Sequence, residues 1–266
     1  MNPKIWKDLL ILLLIGVGLF TAGYVIVRQL DVRSLDLNTT LSIENEEKLG
    51  ELFKGLIAKQ YHISQDNAAD TALQVVAGRL IQALDSTKYT HHFTIIKSEE
   101  INAFTIPGGN IYVFSGLIKF CKTPEELAAV LSHEIGHAEK RHVVQKLAKE
   151  LSMATVVTIL SGGDPSIVTK ILQEIIGNSF GREQEEEADD FAIDLMEKAQ
   201  VDPINLAVFF KRLNDQDLGY NKNLELIMTH PHNDKRIDKA RRHKKKIGFE
   251  SKPFTLDWSE VQKSVD

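Results

Sequence analysis

The sequence is poor in the features that announce a function most directly. It contains a single cysteine, Cys121. One thiol makes neither an intrachain disulfide nor a cysteine-rich zinc cluster, so a metal site here must be built from histidine and carboxylate. Cys121 reads as a small buried residue, and its isolation leaves the compartment open. Positive charge is not in excess: 32 Lys and Arg face 37 Asp and Glu, a net charge of -5 at pH 7. That excludes a chain-wide basic surface for nucleic acid. Glycine and proline number 16 and 7 in 266 residues, which excludes a collagen-like repeat. Long apolar runs are missing save one, so the chain is not a multi-span membrane protein. With 43% hydrophobic and 26% charged residues it is not wholly disordered. What remains suffices for one sizeable domain plus an appendage.

The exceptional run is Leu9–Val27, 19 residues without a charge. As a helix it spans roughly the 30 Å hydrocarbon layer. It exceeds the apolar region of a secretory signal, so it reads as one N-terminal transmembrane helix. A cleaved signal peptide, with Thr21-Ala22-Gly23 as a poor cleavage site, is the second reading; a buried core helix is the third. Lys4 and Lys7 precede the run and Arg28 and Arg33 follow it. The leading pair and the amino terminus favour an N-in orientation. The body is then membrane-anchored outside the cytoplasm, facing the periplasm in a Gram-negative cell, or secreted there if the segment is cleaved. The expected organisation is residues 1–30 as anchor or signal, 31–41 as linker, 42–250 as the folded domain and 251–266 as a C-terminal tail.

Within the folded part, Ser42 ahead of Asn45 and Glu46 looks like a helix cap, with Leu49, Leu52, Phe53, Leu56 and Ile57 following at helical spacing. A second helix is expected over Asn67–Leu84, with Ala72, Val75, Val76, Leu80 and Leu84 on one face. His92–Ile96, Ala103–Ile106 and Ile111–Phe114 are short and rich in β-branched and aromatic residues, so they read as strands. Pro107-Gly108-Gly109-Asn110 is a turn between the last two, and the sheet is expected to be small and antiparallel. Thr123-Pro124-Glu125-Glu126 opens a helix with a threonine cap, proline at its first position and acids in its first turn. Two apolar stretches, Leu147–Leu160 and Ile167–Ile176, read as helices packed on the core, with a hydrophobic lid or membrane-dipping surface as the alternative. Helices are also expected over Gly181–Ala199 and from Asp202-Pro203 through Leu213. Thr229–His243 reads as the last organised segment.

The chemistry concentrates in His133-Glu134-Ile135-Gly136-His137. Helix positions i and i+4 lie on one face, so both imidazoles can share one metal. Glu134 lies about 100° around the helix, where it can reach water at the metal without being a ligand. Two imidazoles do not complete a catalytic zinc site; a third protein ligand is needed. His142 follows His133 by nine residues, whereas the metzincin spacing needs ten, and the required glycine is absent. A carboxylate in Glu183-Gln184-Glu185-Glu186-Glu187-Ala188-Asp189 is the better source. Glu185 and Asp189 share a helix face, which suits one ligand and one acid that accepts the N–H of a ligating histidine. Composition alone does not choose among Glu183, Glu185, Glu186 and Glu187.

These motifs together resemble the gluzincin zinc metallopeptidases of family M48, which pair H-E-x-x-H with a downstream E-x-x-A-D. The resemblance covers roughly Ser42 to His243. Asn102-Ala103-Phe104, Pro107-Gly108-Gly109 and Ile111-Tyr112-Val113 resemble the strands before the zinc helix. Thr229-His230-Pro231 and Arg236-Ile237 resemble the family's C-terminal segment. The resemblance implies an α+β, mainly helical zincin-type domain with one Zn2+ per chain held by His133, His137 and Glu185. It implies Glu134 as general base and Asp189 as the acid behind a ligand. His230 is implied either as a donor to the developing oxyanion or as a group that approaches the metal in a latent state. Arg236 orients His230 or an acidic helix group. Asn102, Ala103 and Phe104 form a strand that could receive an extended peptide.

The function so implied is zinc-dependent endoproteolysis of protein or peptide substrates, with unfolded or misassembled envelope proteins as the expected class. A specific processing protease and a non-cleaving zinc-stabilised chaperone are the rivals, and no nucleic-acid partner is expected. Three features read as bland. Lys239–Lys246 is a solvated basic helix end, His91-His92 point to opposite faces of a strand, and His232 is solvated.

Overall fold

The computed structural model describes residues 41–65, 68–151, 153–162, 164–217, 226, 229–230 and 234–265. The apolar run Leu9–Val27, the linker through Thr40, and Pro231 and His232 lie outside them. No helix among the described residues is long and apolar enough to cross a membrane.

The expected caps form. Ser42 Oγ accepts from the Asn45 N–H at 3.3 Å and opens α1, Ile43–Gln60. The second helix, α2, spans Ala68–Gln82 and buries Ala69, Ala72, Leu73, Val76, Ala77 and Leu80. Val75, expected on that face, instead points to solvent.

Three strands follow: β1 His92–Ile96, β2 Ala103–Ile106 and β3 Asn110–Phe114. They order as β1-β3-β2, with β2 antiparallel to β3 and β1 parallel to it. The sheet is therefore mixed rather than antiparallel. The Pro107–Asn110 turn does make a hairpin, with Gly108 and Gly109 at φ 79° and 74°, a region that favours glycine. The connection from β1 to β2, however, skips one place, so β3 returns between them alongside β1.

Every residue of β2 and β3 is buried. Alternation along the strands explains why. Ile111, Val113 and Ala103 face one hydrophobic cluster, while Tyr112, Phe114, Phe104 and Ile106 face another. The first cluster is completed by α2 and by three later helices: α4 Pro124–Glu139, α8 Arg182–Lys198 and α9 Ile204–Asp217. The second is completed by α1 and by α5 His142–Glu150, α6 Met153–Leu160 and α7 Pro165–Gly177. A short α3, Ser115–Phe120, links β3 to α4. The stretch expected as one helix over Leu147–Leu160 is two, because Leu151 adopts an extended conformation that ends α5.

At the N-terminus of α4, Thr123 Oγ1 accepts from the Glu126 N–H at 3.3 Å and Pro124 occupies the first turn. Helix α4 packs most extensively on α8. Gly136 makes that approach possible: a Cβ there would lie 3.1 Å from the Ala188 carbonyl oxygen and 3.2 Å from its Cα. The small residue inside each motif thus sets the helix crossing that brings the two motifs together.

The last organised segment is not Thr229–His243. After α10, Asp234–Arg242, the chain continues into α11, Trp258–Lys263. Phe254, Trp258, Val261 and Val265 pack into the first cluster. Trp258 Nε1–H donates to the Cys121 carbonyl at 2.8 Å, and Ser264 Oγ accepts from the Ala69 N–H at 3.0 Å. Residues 251–265 belong to the same compact unit as the rest, which runs from Leu41.

Candidate metal centre

Helix α4 supplies His133, Glu134 and His137, all buried. Helix α8 supplies Glu185 and Asp189, also buried. A turn before α10 supplies His230: the Leu226 N–H donates to the Ile101 carbonyl and the His230 N–H to the Leu226 carbonyl. His133, His137, Glu185 and His230 each offer a ligand atom, and these atoms all lie within 4.8 Å of one another.

The finer distances are those of a shared centre. His133 Nε2 is 3.0 Å from His137 Nε2. Glu185 Oε2 is 3.5 Å from His133 Nε2, and Glu185 Oε1 is 3.4 Å from His137 Nε2. Two ligands held tetrahedrally about 2.0–2.1 Å from one ion lie about 3.4 Å apart. Nitrogen and carboxylate donors at this spacing fit a metal ion. His230 Nδ1 joins the same group, 3.2 Å from His133 Nε2 and 3.0 Å from Glu185 Oε1.

Charges around the cluster are matched. Arg236 on α10 is buried between the two acids of α8. Its Nε and Nη2 lie 2.6 and 2.8 Å from Asp189, and its Nη1 lies 2.6 Å from Glu185 Oε2. Asp189 Oδ1 also sits 3.0 Å from His133 Nδ1, on the far side of the ring from the donor cluster. Burial alone would raise the acids' pKa values. The imidazoles of His230, His133 and His137 instead hold Glu185 well below the usual carboxylate range, and Arg236 and His133 do the same for Asp189. For His133 burial lowers the pKa, but Asp189 and Glu185 outweigh it and push it up to about 9. His137 has no such excess of acid, and burial takes it well below its ordinary value.

Glu134 is fully buried and burial raises its pKa, against the opposing influence of His230, His133 and Thr105. Its Oε2 is 2.9 Å from Thr105 Oγ1 and its Oε1 is 3.4 Å from His230 Nε2. A carboxylate less acidic than usual is suited to take and return a proton near neutrality. Thr105 comes from β2, whose alternation turns Ala103 and Thr105 to the α4 side and Phe104 and Ile106 to the other.

The profile of Peptidase family M48 matches residues 67–244, a stretch that contains every group just described. The chain belongs to peptidase family M48. Within it, the chain is 29% identical over 217 residues to the beta-barrel assembly-enhancing protease of Yersinia pestis, covering 76% of this chain and 44% of that protein. The protein of the same name from Escherichia coli K12 is 26% identical over 216 residues, with the same two coverages. The mitochondrial metalloendopeptidase OMA1 of Schizosaccharomyces pombe is 26% identical over 210 residues, 77% of this chain and 60% of that protein. The chain spans less than half the length of these bacterial relatives.

The M48 motifs account for part of the site only. Asn102 precedes the edge strand β2, and its side-chain amide is buried without a hydrogen-bond partner; Ala103 and Phe104 are buried in β2. Sequence reasoning missed Thr105, which is an ordinary strand residue until the fold sets it beside Glu134. It missed Phe180, whose ring stacks on His137 at 4.0 Å. It left Glu187 open among its acidic neighbours, and Glu187 Oε2 lies 3.2 Å from His142 Nε2. The basic run from Lys239 is indeed at the surface, and much of it is paired: Lys239 with Asp190, Lys245 with Asp202 and Lys246 with Asp194. His91 Nε2 pairs with Glu139 at 2.8 Å, far from any metal role.

Proposed function

We propose that the chain is a membrane-anchored, zinc-dependent endopeptidase. The observation that carries this reading is Glu134, a buried carboxylate held by Thr105 at the margin of the donor set. A stabilising metal site alone has no use for such a group. His133, His137 and Glu185 would hold zinc, and the ion supplies Lewis-acid activation of water and of the scissile carbonyl. Glu134 then accepts a proton from the attacking water and returns it to the leaving amine. Asp189, with Oδ1 3.0 Å from His133 Nδ1, favours the tautomer that carries its proton on that nitrogen, and Arg236 fixes Asp189 and Glu185 in place.

His230 supports a latent form. Its Nδ1 lies among the donors, and a metal site with four protein ligands is closed, whereas catalysis needs one position free. In this reading His230 must leave before substrate engages. Burial of Ala103 and Phe104 points the same way, since an extended peptide adds to β2 only once that edge is uncovered. The names of the relatives, an assembly-enhancing protease and a mitochondrial metalloendopeptidase, favour proteins of an envelope as substrates. Unfolded or misassembled ones fit best, because main-chain pairing reads little side-chain sequence. Anchoring rests on Leu9–Val27, with the catalytic body outside the cytoplasm.

The test is zinc stoichiometry together with digestion of casein by the full chain in detergent. Wild type cuts; Glu134→Gln keeps zinc and is silent; Glu185→Ala loses zinc. His230→Ala cuts faster than wild type if His230 closes the site, and about 100-fold or more slowly if it stabilises the oxyanion. Equal cleavage by wild type and Glu134→Gln would end the enzymatic reading.

A further inference from the structure

Among the described residues, His142 is the one buried imidazole near the centre whose place in it is not explained by the ligand set. Its ring is fully covered, and its Nδ1 lies 2.9 Å from His137 Nδ1. It therefore meets His137 on the side away from the donor cluster and is not itself a ligand. Its Nε2 points outward to Glu187 Oε2 at 3.2 Å, and Glu187 Oε1 meets Lys140 Nζ at 2.9 Å. Glu187 is half exposed. The chain Lys140–Glu187–His142–His137 thus runs from solvent to a ring of the donor set.

Proton placement follows from the geometry. A histidine that ligates through Nε2 as neutral imidazole carries its proton on Nδ1. His137 Nδ1–H must then donate to His142 Nδ1, which leaves His142 protonated on Nε2, facing the Glu187 carboxylate. Each atom in the chain has one role, and no alternative tautomer satisfies both contacts. The backbone is arranged to bring this about. Arg141, between α4 and α5, adopts φ 58° and ψ 33°, a left-handed conformation uncommon for a residue with a side chain. Its guanidinium is held by Glu46 Oε2 at 3.0 Å and by the Leu41 carbonyl at 2.6 Å. That turn starts α5 so that its first residue, His142, folds back against His137.

We propose that His142 is a positioning residue for the metal ligand His137, and that Glu187 in turn sets the tautomer of His142. The two ligand histidines are then supported differently. His133 leans directly on a buried carboxylate, whereas His137 reaches a half-exposed one through an intervening imidazole. The inference rests on the metal reading above and adds to it two residues outside the H-E-x-x-H and E-x-x-A-D ligand sets.

The experiment measures the zinc dissociation constant of the full chain in detergent by chelator competition, with circular dichroism to confirm folding. Residues behind a ligand typically change metal affinity by about 10–100-fold. His142→Phe should weaken zinc binding by about that much. His142→Asn, whose carboxamide oxygen can take the Nδ1 position, should recover to within about 5-fold of wild type. Glu187→Gln should fall between them while still filling with zinc at saturation, and Glu186→Gln, at an exposed neighbouring site, should match wild type. Folded His142→Phe with wild-type affinity overturns the proposal, as does His142→Asn no better than His142→Phe. Should His142→Phe fail to fold, wild-type affinity in Glu187→Gln overturns it. Folded wild type that binds no zinc would instead refute the metal reading; zinc bound by wild type and lost in Glu185→Ala upholds that reading whatever the His142 variants do.

Discussion

Removing Arg236 tests how the acidic half of the centre is held. The guanidinium is 3% exposed and makes three contacts of 2.6–2.8 Å with Asp189 and Glu185. In Arg236→Met the side chain keeps much of its volume and its place near the Phe210 ring, now 5.1 Å from the guanidinium carbon. What is lost is the cation between two buried acids. Removing one partner of a buried pair costs about 3–5 kcal/mol, because the other is left uncompensated. Here His133 remains beside Asp189, so the lower end, about 3 kcal/mol, is the expected loss in metal-free protein. Against a whole-domain stability of about 5–15 kcal/mol this is large. At about 2–4 °C per kcal/mol it lowers Tm by about 6–12 °C. A cation restores the missing charge, and a ligand at 1,000 times its Kd adds about 4.1 kcal/mol. The variant should therefore depend on zinc far more than wild type does. Thermal unfolding with chelator and with excess zinc measures both quantities. Arg236→Lys should recover less than half of the loss, since an ammonium cannot make the three contacts. A loss below about 1 kcal/mol for Arg236→Met in chelator would refute the reasoning.

Two further outcomes follow from the helix crossing and from the titration of His133. Gly136→Ala gains helix propensity of about 1 kcal/mol but presses on the Ala188 backbone at a cost of about 1–3 kcal/mol. The expected result is a net loss of about 1 kcal/mol with weaker zinc binding, because α8 retreats with Glu185; a variant more stable than wild type would refute it. In metal-free protein His133 is pushed up to about 9, above its ordinary 6.5. Its pairing with Asp189 and Glu185 then contributes stability that is complete below pH 6.5 and lost as pH rises through about 9. Zinc competes with that same proton, so zinc affinity should rise about tenfold per pH unit between 7 and 9. Isothermal titration across that range checks the slope, and a flat profile contradicts it.

The candidate histidines were legible because helical spacing is a local rule, whereas Glu185 stood out from its acidic neighbours only through the resemblance to family M48. His133 and His137, like Glu185 and Asp189, are four apart, and no tertiary knowledge is needed to put each pair on one face. The caps at Ser42 and Thr123 were legible for the same reason. The pairing of β1 with β3 was not, since a six-residue connection permits either neighbour and only the two-sided core decides. Val75 has the composition of a core residue, but the helix face chosen by Leu73 and Leu80 leaves it in solvent. Thr105, Phe180 and His142 carry no motif of their own. Their roles appear when β2, the segment between α7 and α8 and the start of α5 meet α4; Thr105 and Phe180 lie tens of residues from their partners, and His142, five residues from His137, depends on the turn at Arg141. Glu187 looked like Glu183 and Glu186 because it is exposed as they are, and only its contact with His142 on another helix sets it apart.

The lone thiol gains a use from the helix that packs beside it. Cys121 is fully buried, and burial raises its pKa well above the ordinary value. Its carbonyl is fastened by Trp258 and by Gln262 Nε2, at 2.8 and 2.9 Å, both from α11. Helix α11 is thus fastened to the backbone of the one cysteine in the sequence, the residue that a thiol-selective reagent labels. The rate of that labelling reports how often the core around Cys121 and α11 opens, without any probe having to be introduced.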